Sequence, residues 1–261
     1  MVHSQEMAPN PRRRRRHYPA LLRFFALGVL AFIVAAGSFA SLWIGQASAS
    51  SDVEGQFWPE VDLYHKLSDY ARLYGIATYT LSEESTSDNE QYGLNVDIFA
   101  KPPKVLPLVR GADALAMLHY QPVQLRLGYR YSRSLDAPPA SVQNRLLAEL
   151  TLRGSPPAFS LADRNAIDAR WIDGEYSTRY RNRILLEVPV EQERYGFTPY
   201  ANAEWFYSIT KNQWTSVRYE LGIQVPVVSH VSVEPYVAYQ TYWHSSDPSA
   251  AGPGLNCVVS W

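Results

Sequence analysis

The ten residues Ser216–Val225 read Ser-Val-Arg-Tyr-Glu-Leu-Gly-Ile-Gln-Val. From Val217 onward every second residue is apolar or aromatic, whereas Arg218, Glu220 and Gln224 occupy the positions between them. A period of two is typical of a β-strand that has one apolar and one polar face. The stretch also has the length of about ten residues that a membrane-crossing strand needs.

The same period continues through most of the chain. Eleven stretches alternate clearly enough to be predicted as strands: Glu60–Leu67, Tyr70–Leu81, Tyr92–Ala100, Pro122–Tyr131, Arg145–Leu152, Phe159–Ala169, Thr178–Val188, Tyr200–Tyr207, Ser216–Val225, Val231–Trp243 and Leu255–Trp261. A further stretch, Gly111–Tyr120, fits a short helix or a twelfth strand equally well. Bacterial outer-membrane barrels have an even number of strands of about this length. We therefore predict an all-β chain that forms an antiparallel, up-and-down transmembrane β-barrel of ten to twelve strands.

The first 49 residues differ in composition from the rest of the chain. Five consecutive arginines, Arg12–Arg16, precede the apolar stretch Phe24–Ile44 and the small residues Ala47-Ser48-Ala49. A basic, an apolar and a small-residue segment in this order are typical of a secretory signal. The apolar stretch is longer than usual, so an uncut membrane anchor is the alternative. We predict an export signal helix in residues 1–49, followed by a barrel domain in residues 50–261.

Composition excludes several classes of site. The 261 residues contain 24 basic and 25 acidic side chains, which gives no case for nucleic-acid binding. The single cysteine, Cys257, excludes a disulfide scaffold and a multi-cysteine zinc site. The sequence contains no glycine-rich phosphate loop, EF-hand pattern or two-histidine metal spacing. We therefore expect no cofactor, no metal and no nucleic-acid partner.

Alternation alone does not separate a soluble barrel or sandwich, which buries its apolar face, from a membrane barrel, which turns that face to lipid. Three features favour the membrane: the export signal, a carboxy-terminal strand that ends in Trp261, and aromatic residues near strand ends. These aromatic residues are Tyr79, Tyr129, Tyr131, Trp205, Tyr207, Tyr239 and Trp243. An aromatic last residue resembles the signal that outer-membrane assembly machinery reads. The expected location is the outer membrane of a Gram-negative bacterium, with membrane lipid and the assembly machinery as partners.

The polar faces of the predicted strands carry many charges, which we predict to line a narrow lumen. The predicted lumen residues are Glu60, Asp62, Arg126, Arg130, Arg145, Glu149, Arg181, Arg183, Glu204, Arg218, Glu220 and Glu234. If the turn after Tyr207 centres on Lys211, Glu204 lies opposite Arg218 on the next strand. The charges then form either a packed network of salt bridges or a lining that selects small polar or ionic solutes.

A catalytic site is a third interpretation of the polar residues. The exported part contains His65, His119, His230 and His244, and none has a nucleophile and an orienting group at a recognisable spacing. We therefore assign no catalytic residue, and non-enzymatic roles are favoured over an enzyme.

Several short motifs resemble a family of bacterial outer-membrane barrels described as protein of unknown function 2490 (DUF2490). The motifs, in chain order, are Phe57–Asp62, Asp163-Arg164-Asn165, the alternating Arg179, Arg181 and Arg183, Pro199-Tyr200 with Glu204, and Arg218. The resemblance spans residues 56–261. It implies a monomeric barrel in the outer membrane, and it carries no catalytic residues.

Together these features predict an outer-membrane β-barrel with a narrow, charge-lined lumen that is structural or a pore for small solutes. One alternative is an outer-membrane enzyme that acts on lipid or lipopolysaccharide. A second alternative is a soluble periplasmic β-barrel that binds a ligand. 

Overall fold

The structure is a computed structural model, and it describes residues 53–82, 88–100, 122–135, 140–154, 159–191, 196–245 and 248–261. The predicted export signal, its cleavage site and the undecided stretch Gly111–Tyr120 lie outside the described residues. Within the described ranges, no helix has the length and apolar character that a membrane crossing requires.

The described residues form twelve strands. They are β1 (Val53–Lys66), β2 (Ala71–Ser82), β3 (Asn89–Phe99), β4 (Val123–Ser134), β5 (Val142–Gly154), β6 (Ser160–Ile172), β7 (Glu175–Glu187), β8 (Val190–Glu191), β9 (Gly196–Ser208), β10 (Gln213–Val228), β11 (Val231–Tyr242) and β12 (Ser249–Ser260). All of them except the two-residue β8 form one closed ring, in the order β1 to β7, β9 to β12 and back to β1. Neighbours in the chain pair antiparallel around this ring, so the prediction of an up-and-down barrel is confirmed.

The eleven long strands correspond one to one to the eleven predicted stretches. Because eleven is an odd number, the first and last strands of the ring run in the same direction. The ring therefore closes through a parallel pair, in which Val61 of β1 faces Cys257 of β12. The even strand number that is usual for bacterial barrels does not apply to the ring formed by the described strands.

The two faces of the wall differ sharply in polarity. Large apolar side chains point outward and are exposed, as for Leu94 at 57% and Ile167 at 53%. Charged side chains point inward and are buried, as for Asp97 and Asp168, both at 0%. A soluble barrel has the opposite arrangement, whereas a transmembrane β-barrel turns apolar residues outward and polar residues inward. The structure therefore has the architecture of a transmembrane barrel.

The two ends of the barrel are named here by the strands that reach them. The start end contains the beginning of β1 and the two-residue turn Asp173-Gly174 between β6 and β7. Both turn residues have positive φ, 51° and 89°, as a tight hairpin turn requires, and Asp-Gly is a favoured pair for such a turn. The carboxyl end contains the end of β12 and the turn Ser229-His230.

Candidate functional site

A connected network of ion pairs covers the inner wall from β2 to β9. It contains seven arginines, Arg72, Arg126, Arg145, Arg164, Arg179, Arg181 and Arg183, and four carboxylates, Asp97, Glu149, Asp168 and Glu204. Each carboxylate lies within 4.0 Å of at least two of the arginines. Arginine keeps its proton in proteins, so this arginine network has more positive than negative charge.

Asp168 is the centre of the network near the start end. Its carboxylate lies 2.8 Å from Nη2 of Arg179, 3.0 Å from Nε of Arg181 and 3.6 Å from Nη1 of Arg145. Asp168 is fully buried, although a charge that faced an open, water-filled lumen would be accessible to solvent. The three arginines therefore enclose the Asp168 carboxylate and shield it from solvent.

Glu204 on β9 is the second centre. Its carboxylate lies 2.7 Å from Nη2 of Arg183, and 3.1 Å from both Nη1 of Arg181 and Nη2 of Arg164. The predicted register is confirmed, because Glu204 faces Arg218 across β9 and β10. The ion pairs of Glu204 nevertheless go to β6 and β7 on its other side.

Arg218 on β10 turns away from Glu204. Its guanidinium lies 3.9 Å from the carboxylate of Glu220 and 4.9 Å from the ring centroid of Trp58. An arginine over an aromatic face gains a cation–π attraction of about 0.5–2 kcal/mol. Arg218 thus contacts the side of the lumen that β1 and β10 form.

Aromatic rings also hold the arginines nearest Asp97. Asp97 lies 2.5 Å from Nε of Arg72 and 2.6 Å from Nε of Arg126. The guanidinium of Arg72 lies 4.3 Å from the ring centroid of Tyr64, and that of Arg126 lies 4.0 Å from the ring centroid of Tyr74. Ion pairs and ring contacts together orient these two arginines into the lumen.

The opposite side of the lumen is acidic. Its carboxylates are Glu60 and Asp62 on β1, Glu220 on β10 and Glu234 on β11. Neutral groups donate hydrogen bonds to three of them. Tyr74 Oη lies 2.7 Å from Asp62, Thr78 Oγ1 lies 2.9 Å from Glu60, and Gln224 Nε2 lies 2.8 Å from Glu234. Positive and negative charges are therefore concentrated on different sides of the barrel.

Arg130 on β4 extends between the two sides. A Cβ at Gly93 of β3 would lie 2.9 Å from Cγ of Arg130, so the missing side chain at Gly93 leaves room for the arginine to lie across β3. Its positive charge acts on the carboxylates of Glu60 and Asp62. Among the described residues, no carboxylate forms an ion pair with Arg130 within 4.0 Å.

A cavity of about 260 Å³ separates the two charged sides. Its lining includes Arg130 and Arg164 on one side, and Glu60 and Glu234 on the other. It also reaches Arg153, next to the end of β5, and therefore occupies the half of the lumen near the carboxyl end. Pockets for drug-sized ligands typically measure about 300–1,000 Å³, so this cavity suits a smaller solute or a few ions.

All twelve of the predicted lumen residues point inward. Ten of them line the cavity, and Arg145 and Glu204 are buried in the arginine network. The prediction omitted five inward residues that carry much of the network, namely Arg72, Asp97, Arg164, Asp168 and Arg179. Each occupies a polar-face position of a predicted strand. The same alternation of apolar and polar residues therefore identifies them, even in strands where it is less regular.

The described histidines lie away from this network. His65 is on the outer face of β1, where its ring centroid is 5.6 Å from that of Trp261. His230 is in the turn between β10 and β11, and His244 follows β11 with φ of 58°. His119 lies outside the described residues. In the part of the chain that the structure describes, no three His, Cys, Asp or Glu side chains are grouped so that they could hold a metal ion.

The family match of this chain agrees with the resemblance seen in its motifs. Among solved structures, LpxR from Salmonella typhimurium is similar to this chain with a TM-score of 0.43 and 10% sequence identity, over 72% of this chain and 83% of that chain. No curated protein sequence matches the chain. Residues 109–250 match the family described as "Protein of unknown function (DUF2490)". This match covers more than half of the sequence, and the chain therefore belongs to the DUF2490 family.

Proposed function

We propose that this chain is an outer-membrane β-barrel that passes small ions through a narrow, arginine-rich lumen, and that it favours anions. The observation that carries the proposal is the excess of arginines over carboxylates, seven against four, in the network that covers the inner wall from β2 to β9. Rings of arginine or lysine select anions in known pores. Because the cavity measures only about 260 Å³, we expect a conductance well below that of a general diffusion porin.

The outer surface supports the membrane location. Outward aromatic side chains gather near the start end of the barrel: Tyr79, Tyr92, Tyr129, Tyr131, Trp171, Tyr176, Tyr207, Trp214, Tyr239 and Trp243. Such a girdle is typical of the level at which a barrel meets the lipid headgroups. The apolar positions between the two ends then face the hydrocarbon core. 

The carboxyl end supports the proposed route of assembly. Trp261 is 57% exposed next to the end of β12, so its indole is accessible from outside the barrel. We propose that residues 1–49 direct export, that the machinery recognises the last strand, and that outer-membrane lipid surrounds the folded barrel.

A closed, structural barrel is the second candidate, because the ion pairs around Asp168 and Glu204 are almost inaccessible to solvent. Electrical recording from the purified full chain in a planar bilayer separates the two functions. A pore gives discrete current steps, and a salt gradient gives a reversal potential that shows anion preference. Arg130→Glu changes the lumen charge by two units without breaking an ion pair, so we expect it to shift the preference towards cations. Arg181→Glu acts in the same direction from within the network.

Two further variants complete the test. Lys66→Gln removes an exposed charge whose ion-pair partner is Asp69, so it should leave selectivity unchanged. Arg145→Ala removes a large buried side chain beside Asp168 and should raise the conductance. If neither the wild-type protein nor Arg145→Ala conducts at any voltage although both are folded, the pore is excluded and the structural function stands.

A further inference from the structure

A cluster of polar side chains lies on the outer face of the barrel, where the neighbouring residues are apolar. It consists of Asp163 and Asn165 on β6 and Tyr180 and Asn182 on β7. Their strand neighbours at even positions of β6 and odd positions of β7, such as Arg164 and Arg181, line the lumen. We call these four residues the outward polar cluster.

The cluster is bound together by its own hydrogen bonds. Asn182 Nδ2 donates to Asp163 Oδ1 at 2.7 Å and to Asn165 Oδ1 at 3.2 Å. Tyr180 Oη donates to Asn165 Oδ1 at 2.5 Å. These contacts satisfy the Asn165 carbonyl and one oxygen of Asp163. Two groups have no hydrogen-bond partner among the described residues, namely the Nδ2 amide of Asn165 and Oδ2 of Asp163.

The surroundings of the cluster are those of a lipid-facing wall. Leu152 of β5 pairs with Asp163, and Leu150 pairs with Asn165. On the other side, Asn182 and Ile184 of β7 pair with Trp205 and Ala203 of β9. Leu161 and Ile167 precede and follow the two polar residues on the outer face of β6, so the cluster lies between the ends of the apolar surface. Polar groups that face hydrocarbon without partners are costly and therefore rare, and they usually contact protein or water.

We propose that the outward polar cluster is an interface at which a second copy of this chain binds in the membrane. Asp163 and Asn165 supply one free acceptor and one free donor, two residues apart on the same face of one strand. A two-fold axis along the membrane normal keeps both copies inserted in the same direction and brings their clusters face to face, so that the free donor of Asn165 in each copy is directed at the free acceptor of Asp163 in the other. Such self-complementarity is the defining property of an isologous interface.

Small outward side chains lie on β9, beyond the cluster along the wall. Ala203 and Ala201 pair with Ile184 and Leu186 of β7, two and four residues past Asn182. Small side chains let membrane-spanning segments approach closely. Hydrogen bonds between polar side chains also strengthen the association of transmembrane helices in lipid. This inference replaces the expectation of a monomer. It rests on the proposed membrane location, since the same groups would be hydrated on a soluble barrel.

Energy transfer between labelled copies of the full chain in lipid vesicles tests the interface. Dyes are attached at Lys211→Cys, in the exposed turn between β9 and β10, in a Cys257→Ser background. We expect transfer that rises with protein density and is abolished by excess unlabelled protein. Asn165→Leu removes both reciprocal hydrogen bonds and should weaken dimerisation about tenfold, as should Asp163→Leu. Both variants remain suited to a lipid-facing wall and should fold.

Asn144→Leu is the matched control, because Asn144 is also outward and accepts a hydrogen bond from a tyrosine, Tyr129, but lies on β5 near the start end, outside the outward polar cluster. It should leave the transfer unchanged. Transfer no higher than for an unrelated monomeric barrel, or equal transfer in Asn165→Leu and the wild type, overturns the interface. Heat-dependent gel migration of the same samples reports on the membrane barrel separately. If the protein is soluble without detergent and its gel migration does not change on heating, the membrane location is refuted instead.

Discussion

Asp168 on β6 and Arg179 on β7 stand directly opposite each other, and an oxygen of Asp168 lies 2.8 Å from Nη2 of Arg179. The same carboxylate contacts Arg181, two residues further along β7, and Arg145 on β5. One buried acid thus compensates three arginines from β5 and β7. Their positive charges repel each other, so the folded barrel depends on this carboxylate more than on any single arginine around it.

The first prediction follows from that dependence. Asp168→Asn keeps the shape of the side chain but leaves three buried guanidinium groups without their shared carboxylate. We expect the free energy of unfolding to fall by about 3–5 kcal/mol, the usual cost of an unpaired buried charge. Urea unfolding in detergent micelles measures it. Asp69→Asn is the control, because Asp69 pairs with Lys66 on the surface and should cost no more than about 1 kcal/mol. Equal losses in both variants contradict the prediction.

A second prediction concerns Gly128 on β4. A Cβ at this position would lie 1.9 Å from Oδ1 of Asn95, whose side chain is 1% exposed and donates to the carbonyl of Tyr74. Gly128→Ala therefore displaces Asn95 from a filled part of the lumen. We expect a loss of about 1–3 kcal/mol in unfolding free energy, the usual cost of overpacking.

Gly154→Ala at the end of β5 is the matched comparison, since among the described residues no heavy atom beyond its chain neighbours lies within 4 Å of an added Cβ. It should be neutral or slightly stabilising, because alanine reduces the freedom of the unfolded chain. Side-by-side urea titrations of the two variants measure the difference. A Gly128→Ala barrel as stable as Gly154→Ala would show that Asn95 moves at no cost.

The third prediction concerns pH and the turn between β6 and β7. The backbone N–H of Val142 at 2.8 Å and the hydroxyl of Ser141 at 2.7 Å donate to the Asp173 carboxylate and hold its pKa below the usual range. The folded barrel therefore binds this proton less tightly than the unfolded chain does. The ionised Asp173 carboxylate therefore stabilises the folded barrel. This stabilisation is fully present above the ordinary aspartate pKa, near 4, and is lost as the pH falls through the lower folded-state pKa.

Asp173→Asn isolates this contribution, because asparagine also tolerates the positive φ of the turn. The difference in unfolding free energy between wild type and variant should be constant from about pH 6 to 8 and should shrink below about pH 4. Unfolding titrations of both proteins across this range measure it. A difference that does not shrink at all as the pH falls below about 4 would mean that the carboxylate charge contributes nothing.

The eleven long strands were predictable because alternation is a local property: each strand of a barrel separates lipid from lumen residue by residue. The register of β9 and β10 was predictable because a short turn joins them, which places Glu204 opposite Arg218. The ion-pair partners of Glu204 and Arg218 were not predictable in this way. Glu204 faces Arg183 as well as Arg218, and Arg218 turns towards Trp58 of β1. That choice depends on side chains from strands far apart in sequence, as does the parallel closure of β1 on β12.

The last prediction tests the polarity of the outer face. Leu94 is an outward residue in the middle of β3 and is 57% exposed. In a membrane, an arginine at this depth loses its hydration, so Leu94→Arg should reduce the unfolding free energy in lipid vesicles by about 2–4 kcal/mol. Leu81→Arg, also outward but near the end of β2, should cost no more than about 1 kcal/mol, because there the guanidinium reaches the interface. On a water-exposed surface both substitutions would fall within about 0.5 kcal/mol of the wild type. The difference between the two variants therefore reports the depth of lipid around the barrel, independently of any activity.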